Sequence, residues 1–331
     1  MILVVSYPED DHTSAVVARL RDDGHEVVLL DTGELGSTAS LELGYSSRAP
    51  ADMRLEYTAD GLPGGVDLTR ATAGWWRRVR GIRPDPLVAD AAAFHFVLSE
   101  SSEVLDGVIA SLGLDWVNPP DADARAHHKP FQWAVAADLG FDLPHTIVTR
   151  DPSRARSFTA EHAATGVVTK AFLARSDAWR ETHRLGASDL DRLDQVRFAP
   201  TILQEYVAGV DLRVTVVDDE LFAAEIDATA TSCPWDMRMV LDEAVVRPAV
   251  LPETVSQALL ALMHRLRLVY GAIDLRRTPD GRYVFFEVNP AGLWSFAESL
   301  TGLPITDAVA RALARRDRTA MRSTEHERVV A

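Results

Sequence analysis

Two runs of alternating apolar and polar residues, Gly271–Leu275 and Tyr283–Asn289, flank the dipeptide Asp280-Gly281. Asp-Gly suits the two-residue hairpin turn that needs positive φ, so the stretch predicts a β-hairpin. Counting outward from that turn sets Arg282 opposite Pro279 and Glu287 directly opposite Asp274, with Asn289 on the same face. Ile273, Leu275, Val284, Phe286 and Val288 fall on the other face, the one expected to pack on a core.

The same reading applied along the chain predicts alternating strands and helices. The opening is strand, helix, strand: Met1–Ser6, a helix begun by Glu9-Asp10-Asp11, and Glu26–Leu30. Residues 32–74 predict turns and short edge strands, and Gly74–Arg80 a half-buried strand of alternating bulky and basic residues. A helix over 86–112 and a short strand at Trp116-Val117 end at Asn118-Pro119-Pro120, a domain boundary. Beyond it come a helix over 121–139 carrying Lys129, a strand near 143–148, a helix over 152–164 and a strand over 166–172 bearing Lys170. Residues 173–199 are polar and irregular. A strand over 201–207, a hairpin over 211–226, a loop at Cys233–Arg238 and a helix over 252–268 lead into the opening hairpin. A helix over 305–314 precedes a charged tail expected to be mobile.

Such a pattern is α/β, with α+β character. At 331 residues, 47% hydrophobic and 25% charged, the chain can bury a large core and divide. The expected division is 1–120, 121–203, 204–316 and a tail from 317 to 331. A formal charge of −15 argues against nucleic acid as a partner. The single Cys233 excludes an internal disulfide and a thiolate metal cluster. No apolar run approaches the roughly 20 residues that span a bilayer, and Met1–Val5 runs straight into a strand, so a cytoplasmic location is expected. Ser6-Tyr7-Pro8-Glu9 is not a glycine fingerprint and no Walker sequence occurs, which leaves dinucleotide and P-loop binding unsupported.

Two features carry chemistry. Opposed carboxylates about 5 Å apart repel unless something positive lies between them. Asp274, Glu287 and Asn289 are hard oxygen donors suited to Mg²⁺; a solvated acidic face is the alternative. Of the 34 basic residues only two are lysines, Lys129 and Lys170. Where arginine is the default cation, a retained lysine suits a compact ammonium reaching between phosphate oxygens; chance is the alternative.

A lysine on a helix, a lysine on a strand, Gln204-Glu205 before two bulky residues, a hairpin arginine and then Asp…Glu-x-Asn resemble, in that order, the ATP-grasp ligases. The resemblance covers about 121–306 and implies an ATP-grasp fold behind an amino-terminal α/β domain. It implies that Lys129 and Lys170 hold ATP phosphates and that Gln204, Glu205, Tyr206 and Val207 meet adenine. Asp211 would take the ribose, Arg213 the γ-phosphate, and Asp274, Glu287 and Asn289 magnesium. Within that superfamily, Glu287-Val288-Asn289-Pro290 with Gly292, Trp294, Glu298 and Thr301–Ile305 resembles the graspetide (microviridin-type) macrocyclases. Trp75-Trp76-Arg77-Arg78 and Asp236-Met237-Arg238 resemble two further motifs of theirs. Leu293 and Met237 depart from the pattern, where Gln and Trp are usual.

The resemblance implies an ADP-forming ligase that activates Asp or Glu side chains of a ribosomal precursor peptide as acyl phosphates. Ser/Thr or Lys side chains of the same peptide would then close ester or amide rings. An acidic enzyme cannot attract an acidic core peptide by net charge, so a local cation must hold the acceptor carboxylate. Arg238 is the candidate, with Arg213 and Lys170 as the other catalytic groups; a loop salt bridge is the alternative for Arg238. A homodimer built through an exposed aromatic strand at Trp75-Trp76 is also implied. Two other functions are the alternatives: a ligase of free amino acids or peptides acting without a leader, and a non-catalytic ATP sensor, which the retained lysines, Arg213 and three metal-type ligands disfavour.

Overall fold

The computed structural model describes residues 1–47, 54–59, 64–172 and 181–330. In chain order the first elements are β1 (Ile2–Val5), α1 (Asp11–Asp22), β2 (Val27–Leu30), β3 (Ala39–Gly44), β4 (Arg54–Ala59), β5 (Val66–Asp67) and β6 (Ala73–Trp76). Then come α2 (Ala91–Ser111), β7 (Asp115–Val117), α3 (Pro120–Ala126), α4 (Lys129–Asp138), β8 (Thr146–Thr149), α5 (Pro152–Glu161) and β9 (Val167–Lys170). Next are β10 (His183–Arg184), α6 (Ala187–Leu190), β11 (Thr201–Glu205), β12 (Val210–Val217), β13 (Glu220–Asp227) and β14 (Val245–Ala249). The last are α7 (Glu253–Leu266), β15 (Tyr270–Arg277), β16 (Tyr283–Asn289), α8 (Ser295–Thr301) and α9 (Ile305–Val330).

These form two compact units. The first comprises Met1–Asp123, Arg267–Tyr270 and the chain from Pro304 on; the second comprises Ala124–Leu266 and Gly271–Leu303. Among the described residues no helix is long and apolar enough to cross a membrane.

The first unit is built on a parallel sheet of order β2-β1-β6-β7. All four residues of β1 are buried, as a strand covered on both faces requires. Asp10 caps α1 by accepting the Thr13 N–H at 3.0 Å. Two expectations are corrected here. β6 lies between β1 and β7 and Trp75 is 1% exposed, so Trp75-Trp76 is no exposed strand that could carry a dimer. Its alternation signals a strand, and that pattern cannot separate a central strand from an edge. The last helix, expected over 305–314, runs on as α9 to Val330, and α9 packs against α1, β6 and β7. Asp317 is buried and faces the Met1 amino group at 3.0 Å and His25 Nδ1 at 2.9 Å.

The second unit holds two sheets, of order β10-β9-β11-β8 and β14-β13-β12-β15-β16. Ala155, Phe158, Val167, Leu193, Val196 and Leu203 form the core beneath the first. α7 presents buried Leu259, Leu262, Met263 and Leu266. β14 has no counterpart in the sequence reading, because Pro248 and polar neighbours hide it; a proline is compatible with its place at a sheet edge. Residues 173–180 of the segment expected to be irregular lie outside the described residues. The rest of that segment contains β10, α6 and a 3-10 turn at Leu193–Phe198.

The single helix expected over 121–139 is two, α3 and α4. Pro130 lacks an N–H and cannot continue a helix from the preceding turn, yet fits a first turn. His128 is extended (φ −84°, ψ 101°), and Lys129 opens α4.

Candidate active site

The hairpin of β15 and β16 organises the site, and it differs from expectation twice. Thr278 N–H donates to Arg282 O at 2.9 Å and Gly281 N–H to Thr278 O at 2.9 Å, so the loop holds three residues, Pro279-Asp280-Gly281. Gly281 takes φ +86°, which a Cβ would resist. Arg277 therefore pairs with Tyr283 and Leu275 with Phe285, one residue out of the expected register. The register then shifts between Leu275 and Asp274, leaving Phe286 as the extra residue and Asp274 opposite Glu287. The two departures cancel at the acidic pair but not along the strand. Phe285, rather than Phe286, is fully buried, 5.6 Å from the Phe141 ring, and Phe286 is released towards Lys170.

Side chains from α4 dock that helix on β16, a sheet edge whose backbone groups need partners. The Gln132 amide donates to Val288 O at 2.7 Å and accepts Val288 N–H at 3.0 Å, while Trp133 Nε1 donates to Phe286 O at 3.0 Å. This docking brings Lys129, one turn earlier, onto Glu287, to which its ammonium donates. Lys170, the last residue of β9, has its ammonium 5.5 Å from the Phe286 ring centre. Arg213 on β12 lies with Nε 3.2 Å from Asp274 Oδ1 and its guanidinium 5.6 Å from the Phe296 ring.

Burial and neighbouring cations depress both lysines. Lys129 falls to about 8, through burial and Arg238, with Asp274 opposing. Lys170 falls further, to about 7, through burial, Lys129, Arg238 and Arg276, again with Asp274 opposing. Both lysines thus share the fields of Asp274 and Arg238. The structure brings together Lys129, Lys170, Arg213, Arg238, Asp274 and Glu287.

Asn289, two residues beyond Glu287, is exposed, and its Oδ1 accepts Ala291 N–H at 3.0 Å. Arg238 is held by Asp236 through Nε (2.8 Å) and Nη2 (2.5 Å), so the loop salt bridge is present, with the guanidinium part-exposed beside the lysines. Asp211 is buried, which raises its pKa to about 6, and both its oxygens face Arg276. Glu205 and Tyr206 leave β11 with their N–H groups on His145 O (2.8 Å) and Gly166 O (2.9 Å). Val207 O accepts from Arg276 Nη1 at 2.8 Å. The Gln204 side chain is not brought to the site: it is buried and donates to Thr146 Oγ1 at 2.8 Å, tying β11 to β8. Sequence reasoning missed Arg276 and Phe286. Arg276 shares the face of Asp274 at a spacing of two, a signal the alternation already contained; Phe286 was hidden by the register shift.

The residues fit a divalent cation. Among the described residues Asp274 Oδ1 and Arg213 Nε are buried without a hydrogen-bond partner, two carboxylates face one another, and all the metal-type donors are hard oxygens.

No family model matches the chain, and no curated protein matches it. Solved structures do, and those it resembles are ATP-grasp ligases. It is similar over nearly its whole length to the macrocyclase MdnC of Microcystis aeruginosa MRC, solved with its precursor peptide MdnA. Identity is 29% and the TM-score 0.82, over 95% of this chain and 99% of that one. PsnB, an ATP-grasp ligase solved with a phosphomimetic variant of a minimal precursor, Mg and ADP, is 25% identical with a TM-score of 0.76, over 95% and 98%. A RiPP-associated ATP-grasp ligase of Chryseobacterium gregarium, solved with ADP and leader and core peptides, shares the fold at 23% identity. Its TM-score is 0.82, over 96% and 98%.

Proposed function

We propose that this chain is an ADP-forming ligase that closes macrocycles in a ribosomal precursor peptide, joining Asp or Glu side chains to Ser/Thr or Lys side chains. The observation that carries the reading is the opposed pair Asp274 and Glu287 with Lys129, Lys170, Arg213 and Arg238 around it. A peptide carboxylate is a poor electrophile until its oxygen is made a leaving group, which transfer of the ATP γ-phosphoryl group achieves.

Lys129, Lys170 and Arg213 are aimed at the phosphates, where charge spreads over the transferring oxygens. The exit of β11 at Glu205–Val207 meets the adenine. Asp211, already paired with Arg276, has its outer lone pairs for the ribose. Mg²⁺ held by Asp274, Glu287 and Asn289 would neutralise charge on the β- and γ-phosphates. Arg238, oriented by Asp236, presents its exposed edge to the acceptor carboxylate.

That carboxylate attacks the γ-phosphorus and ADP leaves. A hydroxyl or amine of the same peptide then attacks the acyl phosphate, losing its proton as inorganic phosphate departs. Holding both ends of one peptide contributes roughly 7 kcal/mol or more of barrier lowering. The reading carries action in the cytoplasm, where ATP and new precursor meet. A homodimer rests on the resemblance alone.

Incubation with a precursor encoded beside the enzyme, ATP and Mg²⁺, followed by mass spectrometry, tests the proposal. The expected product has lost one water per bond, with ADP and phosphate released; mild alkali reopens esters and leaves amides. AMP release, or joining of a free amino acid, would reject it in favour of another ligase.

A further inference from the structure

Arg276, two residues along β15 from Asp274, serves three acceptors at once. Nε and Nη2 donate to the two oxygens of Asp211 at 2.8 and 2.9 Å, and Nη1 donates to Val207 O at 2.8 Å. Its guanidinium lies 5.4 Å from the Phe286 ring and 5.8 Å from the Tyr206 ring, and the residue is 4% exposed. The chain between those acceptors is pressed onto β15. Gly209 has φ +153°, and a Cβ there would lie 2.3 Å from the Arg277 carbonyl oxygen, a space only glycine leaves. Because a peptide unit is planar, fixing the Val207 carbonyl also fixes the following N–H.

We infer that Arg276 is a positioning residue for the nucleotide. It fixes the Val207 peptide and the Asp211 carboxylate, and through the Phe286 face it joins them to the Lys170 end of the site. The inference rests on the ATP-grasp reading, in which Val207 meets the base and Asp211 the ribose. Stability alone is a poor account of this arginine, since a buried ion pair contributes little beyond what apolar residues of the same volume would. The planar fork matters: an ammonium has the charge but cannot serve both carboxylate oxygens and a carbonyl lying on different edges.

Calorimetric titration of ADP with Mg²⁺ into the full chain tests this, with thermal melting and a parallel GDP titration. Arg276→Lys is expected to weaken ADP binding about tenfold, and Arg276→Ala about a hundredfold, as one and then all of the charge-assisted hydrogen bonds are lost. The preference for ADP over GDP is expected to narrow in both, a change that a merely structural role would not produce. Unchanged ADP affinity and base preference in Arg276→Lys, with or without a lower melting temperature, would overturn the inference. If Arg276→Ala does not fold, Arg276→Lys decides the matter. Failure of the wild-type chain to bind ADP would instead overturn the ATP-grasp reading itself.

Discussion

Asp10 and Asp274 are both acidic residues set beside arginines, and the molecule treats them in opposite ways. Asp10, in the amino-terminal unit, accepts from Thr13 N–H (3.0 Å), Thr13 Oγ1 (2.8 Å), Arg77 Nε (3.4 Å) and Arg78 Nη1 (3.2 Å). Arg77 and Thr13 hold its carboxyl below the usual range against the effect of burial. Asp274, in the second unit, faces another carboxylate, and its Oδ1 is buried 3.2 Å from Arg213 with no hydrogen bond among the described residues. Charge answered from within marks architecture. Charge left half-answered, beside two depressed lysines, marks a place prepared for ligands.

The comparison can be broken at either end. Glu287→Gln is expected to reduce peptide-dependent ADP release at least about a thousandfold, because a hard anionic donor is lost where charge develops. Its melting temperature should barely move, since relief of the repulsion with Asp274 offsets the lost partner of Lys129. A large fall in stability with normal turnover would show Glu287 to be architectural. Asp10→Ala is expected to do the reverse: about 3 kcal/mol of stability lost to denaturant, since Arg77 then stays buried without its carboxylate, and ADP affinity unchanged.

The smallest effect sharpens the contrast through protons. Lys170 has a pKa of about 7 in the free chain, below the ordinary lysine value, so at pH 8 it is mostly neutral. A bound polyphosphate stabilises the ammonium and raises that pKa, so binding takes up a proton. Affinity for ADP should therefore fall as pH rises above 7, and the calorimetric heat at pH 8 should depend on the ionisation enthalpy of the buffer. A buffer-independent heat would mean that Lys170 is already charged or does not meet phosphate.

Much of this was legible in the residues. Alternation and an Asp-Gly turn opposed Asp274 to Glu287, a pairing that holds because two departures from the expected register cancel there, and the scarcity of lysine singled out Lys129 and Lys170. What escaped depends on spacing finer than a pattern resolves. A loop one residue longer than expected, compensated by the extra residue at Phe286, exchanged the roles of Phe285 and Phe286. Arg276 and Arg277 are adjacent and chemically identical in the sequence; only their alternation on the strand sends one to Asp211 and the other to Glu225. Asp317 reads as part of a charged tail because its partners, Met1, His25 and Thr72, are remote in the chain.

Magnesium-dependent ADP binding to the wild-type chain and to Glu287→Gln tests the role of the hairpin most directly. ADP is expected to bind the wild-type chain distinctly tighter with Mg²⁺ than without it, and Glu287→Gln should bind ADP equally with and without the ion. The same magnesium enhancement in both proteins would show that the opposed carboxylates are not the metal face, and would contradict the account.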